Sequence, residues 1–481
     1  MKNYIIKLTF FLLFMPVLGF CKKTSLNQVT ITITYVNSKE FPTSLSAYYS
    51  KNALYADIAH HYTSKIEFKK TGRSYKVILP VTKYGYISVL DNDLKPFLDW
   101  YFVEEGDNIK ITVDQSKKLQ LNFSGFGSQK YLARYRPEMA VYYDSVAQSQ
   151  GAMALQAKEL KILLSFKNKI SDISYNVLKA DIIGKYGTRM EMNNSFELAK
   201  PNFDTTSNEF KESYWTTYYD DNDISDDGKV ISHLYSPFFW NKTLNDYRLN
   251  NKGQKSDTAV YFKMYKMVTS QKLQDKLGTY LIINYGNQLK HLSLIFNDSI
   301  HQIKNKEFLA EIEKFRMMLP GQKAFDFQLP DINGNMIKLS DFKGKTVFID
   351  FWYTGCANCM IFYQSELRNI EERYKDDPNV VFMTVCIDKS KDQWLKSVNS
   401  GSYTSGHAVN LYTGGTGANS PVILKYNIFG YPQPLIVDKN VNIFTFESSR
   451  LRHETTAVPA IEAAKAIAQE EPLPNIQKLE N

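Results

Sequence analysis

The sequence has little cysteine: four residues in a chain of 481. A chain so poor in cysteine is not a scaffold stapled by disulfides, and at this length it has no need to be, since about three domains with cores of their own fit into it. One Cys-x-x-Cys pair occurs, without a second pair or a nearby His-x-x-x-His, so a closed structural zinc site lacks its ligands. No dense basic run is present either. The formal charge of +8 is carried by scattered lysines, which excludes the clustered footprint of a nucleic-acid-binding surface. Long apolar runs are missing beyond the N-terminus, so no internal segment reads as a membrane span.

The remaining composition is that of a globular protein, 43% hydrophobic and 22% charged, and its 32 Tyr and 30 Phe make it rich in aromatics. At the N-terminus, Lys2 and Lys7 precede Phe10-Phe11-Leu12-Leu13-Phe14-Met15-Pro16-Val17-Leu18, too short to span a bilayer comfortably. Residues 1–21 therefore read as a secretory signal, whose removal lowers the charge to about +6, that is +8 less the two lysines. Leu18-Gly19-Phe20-Cys21 resembles a bacterial lipobox, in which Cys21 becomes lipidated and anchors the chain; ordinary cleavage nearby is the alternative. The expected location is the periplasm or cell envelope.

Residues 22–126 read as β structure. Val29-Thr30-Ile31-Thr32-Ile33-Thr34-Tyr35 and Ile109-Lys110-Ile111-Thr112-Val113 alternate in polarity, with glycines punctuating the runs. A small antiparallel sandwich or barrel is the expected all-β domain. His60-His61 lack a third ligand and read as surface residues. Residues 127–318 turn helical, with Leu155, Leu160, Leu163, Leu164 and Ile170 near helical spacing, and form a middle α-helical region. Its acidic run, Asp220-Asp221-Asn222-Asp223 with Asp226-Asp227-Gly228, lacks calcium-loop spacing and reads as a solvated loop.

Leu319-Pro320-Gly321 marks the next boundary, and residues 319–470 carry the chemistry, ahead of a tail at 471–481. Asn333-Gly334-Asn335 predicts a hairpin. Val347-Phe348-Ile349-Asp350-Phe351-Trp352 predicts a buried strand that runs into Cys356-Ala357-Asn358-Cys359 at the start of an amphipathic helix. On that helix Met360, Tyr363, Leu367, Ile370 and Tyr374 make the apolar face, and Glu366, Arg368, Glu371, Glu372 and Arg373 the solvent face. Val380 to Cys386 predicts a second buried strand, completing a parallel β-α-β unit. Two cysteines three positions apart at a helix N-terminus can close a small disulfide ring, and unpaired N–H groups there favour a thiolate on the first.

These pieces, together with Ala324-x-Asp326-Phe327-x-Leu329, Leu339-Ser340-Asp341-Phe342-x-Gly344-Lys345, Ile387-Asp388 and Gly430-Tyr431-Pro432 before Leu435-Ile436-Val437-Asp438, make residues 321 to about 470 resemble the TlpA/ResA-like branch of the thioredoxin superfamily, close to the peroxiredoxin-type (AhpC/TSA) redoxin domain. The two preceding regions resemble, more loosely, those ahead of this module in multidomain proteins of Bacteroidetes-type bacteria. The resemblance implies an α/β thioredoxin-like fold and an exported thiol:disulfide oxidoreductase that needs no cofactor. Its partners would be protein disulfides or dithiols and an upstream thiol donor, such as a membrane electron carrier. Cys356 becomes the solvent-facing nucleophile and Cys359 the resolving thiol of a redox-active disulfide, Asp350 the buried proton acceptor, and Pro432 the cis-proline that presents Tyr431 to substrate, with Trp352 flanking the site. Pro434 is the competing proline. Phe362 stands where the branch carries a Glu, which leaves Asp350 as the proton-transfer candidate. Cys386 reads as a buried core thiol. His407 raises a copper-binding alternative, opposed by cysteine spacing. A thiol peroxidase, and an envelope binding protein that uses the module only for docking, are the competing functions.

Overall fold

The structure is a computed structural model that describes residues 27–468 apart from 38–40, 52, 55–63, 94, 115–119, 201–202, 205–209, 213, 215–220, 252, 255, 287–288, 290 and 429. The signal segment, Cys21, His60-His61 and residues 471–481 lie outside the described residues.

Among the described residues nine strands come first: β1 (Gln28–Val36), β2 (Leu45–Ser50), β3 (Ser64–Glu67), β4 (Lys69–Thr71), β5 (Ser74–Pro80), β6 (Tyr84–Asp91), β7 (Pro96–Glu104), β8 (Asn108–Asp114) and β9 (Gln120–Phe126). They form two sheets, β4-β5-β1-β8-β9 and β3-β2-β6-β7. Between them lies a core that includes Val29, Ile31, Ile33, Val77, Ile87, Val89, Ile109 and Ile111, the inward half of each alternating strand. The expectation of purely antiparallel strands is corrected: β1 and β8 pair in parallel, Ile31 opposite Ile109. Alternation marks which side chains point inward but is blind to strand direction, and here the chain passes through the second sheet before it returns.

The described residues then give the helices α1 (Ser128–Tyr142), α2 (Ser145–Ser149), α3 (Ala152–Leu164), α4 (Asp172–Leu198), α5 (Asp226–Ile231), α6 (Tyr235–Asn250), α7 (Asp257–Met267), α8 (Gln271–Tyr285), α9 (Leu292–Gln302) and α10 (Lys306–Glu313). Ser171, Ser225 and Ser256 each cap a helix by accepting a backbone N–H of the first turn. The acidic run is tied down by the helices: Tyr235 donates to Asp221 at 2.7 Å and Lys272 to Asp227 at 2.8 Å, and Lys179 pairs with Asp223.

The last region begins with the hairpin β10 (Gln328–Pro330) and β11 (Met336–Lys338), where Asp331 Oδ1 accepts the N–H groups of Asn333 and Asn335 and Gly334 takes φ 89°. Its main sheet has the order β14 (Val409–Tyr412), β13 (Val380–Cys386), β12 (Thr346–Trp352), β15 (Gln433–Val437), β16 (Ile443–Thr445). The first three run parallel, β15 pairs antiparallel with β12, and β16 pairs antiparallel with β15. Between β12 and β13 lie α11 (Ala357–Phe362), a π turn (Tyr363–Leu367) and α12 (Arg368–Tyr374). Then come α13 (Lys391–Asn399), α14 (Pro421–Lys425), α15 (Ser448–Leu451) and α16 (Glu454–Lys465). This is the parallel β-α-β unit expected from the sequence. On that helix Glu371 differs from expectation: it is 6% exposed, beside buried Ile370. A π turn places more residues in one revolution than 3.6, which widens the buried arc past a strict apolar stripe.

Alternation along β12 sets the site. Val347, Ile349 and Phe351 join the core that continues into the helical region, whereas Phe348 packs with Phe362, Leu367, Ile370 and Leu451. Trp352 joins Cys356, Cys359, Cys386, Trp394 and Tyr412. Asp350 stands between Phe348 and Trp352 on that second face.

Candidate redox site

β12 delivers the chain to the site as a fully buried strand, and the loop that follows is held from two sides. The Asp388 carboxylate accepts from Thr354 N at 3.0 Å and from the Thr354 hydroxyl, and that hydroxyl lies 2.7 Å from Ser397 Oγ. Tyr403 stacks on Trp352 with ring centroids 4.9 Å apart, and its hydroxyl accepts Gly355 N–H at 3.0 Å. Gly355 needs its lack of a side chain, because its φ is 94°.

Cys356 is then the N-cap of α11 and is joined to Cys359 by a disulfide, with Cα atoms 5.2 Å apart. Cys359 N–H points at Cys356 Sγ, 3.0 Å away, so the amide that a helix start leaves unpaired is directed at the first sulfur. Cys356 is 4% exposed and Cys359 1%. A freely solvent-facing Cys356 is therefore corrected: Trp352 and Tyr431 pack into the cluster around it, and Tyr353 packs edge-on against Tyr431 at 5.5 Å. Ala357, Asn358 and Ile361 remain exposed on the rim.

Asp350 is 1% exposed, and its Oδ1 has no hydrogen-bond partner among the described residues. Burial pushes its carboxyl well above the usual carboxylate range; Arg452 opposes that shift and Glu371 adds to it. Burial also pushes Glu371 up to about 7, against the pull of Ser405 and Arg368. The Tyr431–Pro432 bond is cis, and the Pro432 carbonyl accepts from Arg452 Nη2. Pro434 lies within β15, paired in register with Asp350.

Asp350, Trp352, Cys356 and Cys359 thus follow one another along a single strand and helix start, with Tyr431 against them. Cys386 is fully buried and free, in the same cluster as the disulfide, and burial pushes its thiol up. His407 lies elsewhere, on an exposed loop by Glu371 and Tyr374. Among the described residues no group of three or more His, Cys, Asp or Glu is placed to hold a metal ion. Three contributors gave no sequence signal: Arg452, Tyr403 and Glu371. Arg452 and Tyr403 act on β12 and its loop from some fifty to a hundred residues away, and Glu371 carries the residue type of a solvent face.

Residues 344–443 match the family model described as Thioredoxin-like. The thiol-disulfide oxidoreductase ResA of Bacillus subtilis (strain 168) is 36% identical over 104 residues, which are 22% of this chain and 49% of that protein. ResA of Bacillus cereus (strain ATCC 10987 / NRS 248) is 27% identical over 147 residues, 31% of this chain and 78% of that one. The thioredoxin domain of a thiol-disulfide oxidoreductase from Bacteroides vulgatus is 26% identical, with 30% of this chain and 98% of that chain covered and a TM-score of 0.26. The chain spans about half the length of the first of these relatives. Residues 344–443 are thus similar to thioredoxin-like domains, and over the lengths covered the chain is similar to thiol-disulfide oxidoreductases named ResA.

Proposed function

We propose that this protein is an exported thiol:disulfide oxidoreductase that reduces disulfides in other proteins through Cys356 and Cys359. The carrying observation is the disulfide at the N-terminus of α11, directly after a buried strand that bears Asp350, whose Oδ1 has no hydrogen-bond partner among the described residues. An upstream thiol donor first reduces the pair. The Cys356 thiolate, favoured by the amides of the helix start, attacks one sulfur of a partner disulfide, and the other leaves as a thiolate. Cys359 then attacks Cys356 Sγ of the mixed disulfide: its proton passes to Asp350, the partner's second thiolate departs, and the enzyme is left oxidised. Pro432 and Tyr431 line the approach, where the backbone of Tyr431 pairs with an extended substrate, and Trp352 backs the disulfide. Ala357-Asn358 brings no positive charge between the cysteines, which supports a reducing role over a strongly oxidising one. Export rests on the N-terminal sequence; among the described residues no helix is long and apolar enough to cross a membrane.

Reduction of insulin disulfides by the full chain, coupled to a dithiol donor, tests the activity. Wild type is expected to accelerate it and Cys356→Ser to abolish the acceleration, while Cys359→Ser accumulates a mixed disulfide visible on non-reducing gels. Loss of neither activity nor trapping in these variants would end the reading.

A further inference from the structure

We propose that Arg452 is a positioning residue of the redox site, joining the Pro432 carbonyl of the substrate-facing loop to the buried Asp350 carboxylate. The inference rests on the redox reading above and adds a residue to it. Arg452 lies in the turn between α15 and α16, far from the cysteines in sequence, yet three contacts fix that turn against the site. Leu451, fully buried, packs in the cluster that contains Phe348, two residues before Asp350 on the same face of β12. Arg452 Nη2 donates to the Pro432 carbonyl. Glu454 N–H donates at 2.8 Å to Glu366 on the redox helix. One turn thus holds the strand that carries Asp350, the helix that carries the cysteines and the loop that carries Pro432.

The chemistry of arginine suits this place. A guanidinium stays charged throughout the pH range of thiol chemistry, and its fork can bond one group while its charge acts on another. Among the described residues, the charged side chains acting on Asp350 are Arg452 from this turn and Glu371 from α12. Of the two, only Arg452 offsets the cost of ionising a carboxyl that burial and Glu371 both disfavour. Ionised Asp350 is the form able to accept the Cys359 proton. When that proton arrives, Asp350 becomes neutral and its attraction to Arg452 vanishes, while the bond to Pro432 remains to hold the loop.

The test follows resolution alone, in the full-length oxidised, reduced and reloaded protein. Cys356 is loaded with 5-thio-2-nitrobenzoate, and its release by Cys359 is timed by absorbance across pH 5–9, an interval spanning the acid side of the thiol range. Arg452→Met is expected to move the inflection assigned to Asp350 upward by about one pH unit and slow release at neutral pH about tenfold. Arg452→Lys, which keeps a positive charge, is expected to hold the inflection near that of wild type. In an Asp350→Asn background Arg452→Met is expected to add no further shift. An Arg452→Met profile that overlays wild type, or an equal shift with and without Asp350, would overturn the proposal, as would a Lys variant that behaves like Met. Wild type that releases the chromophore normally but leaves insulin intact would remove the protein-disulfide reading and spare this one; wild type that never releases it would remove both.

Discussion

Burial of Glu371 on α12, the continuation of the redox helix, couples folding to pH. Its folded value near 7, raised by burial from about 4.5, means that the folded protein holds this proton more tightly than the unfolded chain. The stabilising protonation is complete below the unfolded carboxyl range and is lost as pH rises through about 7. Glu371→Gln, neutral throughout, is therefore expected to unfold at higher denaturant than wild type at pH 8, by up to roughly 3 kcal/mol, and to match it near pH 4. Denaturant titrations at the two pH values check this, and a pH-independent difference would refute it. Asp350 is raised in the same direction, so Asp350→Asn carries a stability gain of the same sign together with a kinetic loss. Resolution of the mixed disulfide by Cys359 should slow more than its formation by Cys356, since only resolution uses the carboxylate. Stopped-flow measurement of both steps decides, and equal slowing would remove Asp350 from the proton path.

At the scale of elements, the loop between β12 and α11 owes its shape to residues that arrive from β13, α13 and the segment beyond it. Tyr403 contributes twice, by its stack on Trp352 and by its bond to Gly355. Tyr403→Phe keeps the stack and loses the bond, an expected cost of about 1 kcal/mol. Tyr403→Ala loses both and should cost about 3 kcal/mol or more. Thermal unfolding of the oxidised protein measures each, and a Phe variant as stable as wild type would show that the hydroxyl contributes nothing. The strand, the helix start, the hairpin at Gly334 and the prolines near residue 432 were legible in the sequence because their signals are local: an apolar run, a cap, a turn residue, an X-Pro pair. Tyr403, Arg452 and the burial of Glu371 were not, because they depend on which distant element packs on which face and on a π turn that no short window encodes. The parallel pairing of β1 with β8 was hidden for the same reason.

Across the whole molecule, Leu319-Pro320-Gly321 is no loose hinge. Gly321 N–H and Ala324 N–H donate to Ile443 and Val441 at 2.8 and 2.9 Å, and Ile443 N–H returns a bond to Gln322 at 2.8 Å, so the segment lies along β16. Asn427 Nδ2 reaches the Ile283 carbonyl of α8, and the buried Lys276 and Asn284 of the same helix donate to the carbonyls of Ala53 and Leu54 at 2.8 Å. One continuous apolar cluster runs from Leu54 through Phe238, Ile295 and Phe315 to Ile349 and Leu435. The residues ahead of the redox module therefore supply part of the wall behind β12, and damage to that wall should be felt at the site. Phe315, 2% exposed and ahead of the boundary, provides the means to see it. Phe315→Ala is expected to destabilise by about 3–5 kcal/mol through the cavity it leaves. Cys386, the free buried thiol on β13, reports opening of the redox sheet, once Cys21 is replaced by Ser. If the core is shared, thiol labelling of Cys386 under mild denaturant accelerates in the Phe315→Ala protein in step with loss of helical signal. If helices are lost while Cys386 stays as protected as in wild type, the redox module stands on its own core and the regions before it serve recognition alone.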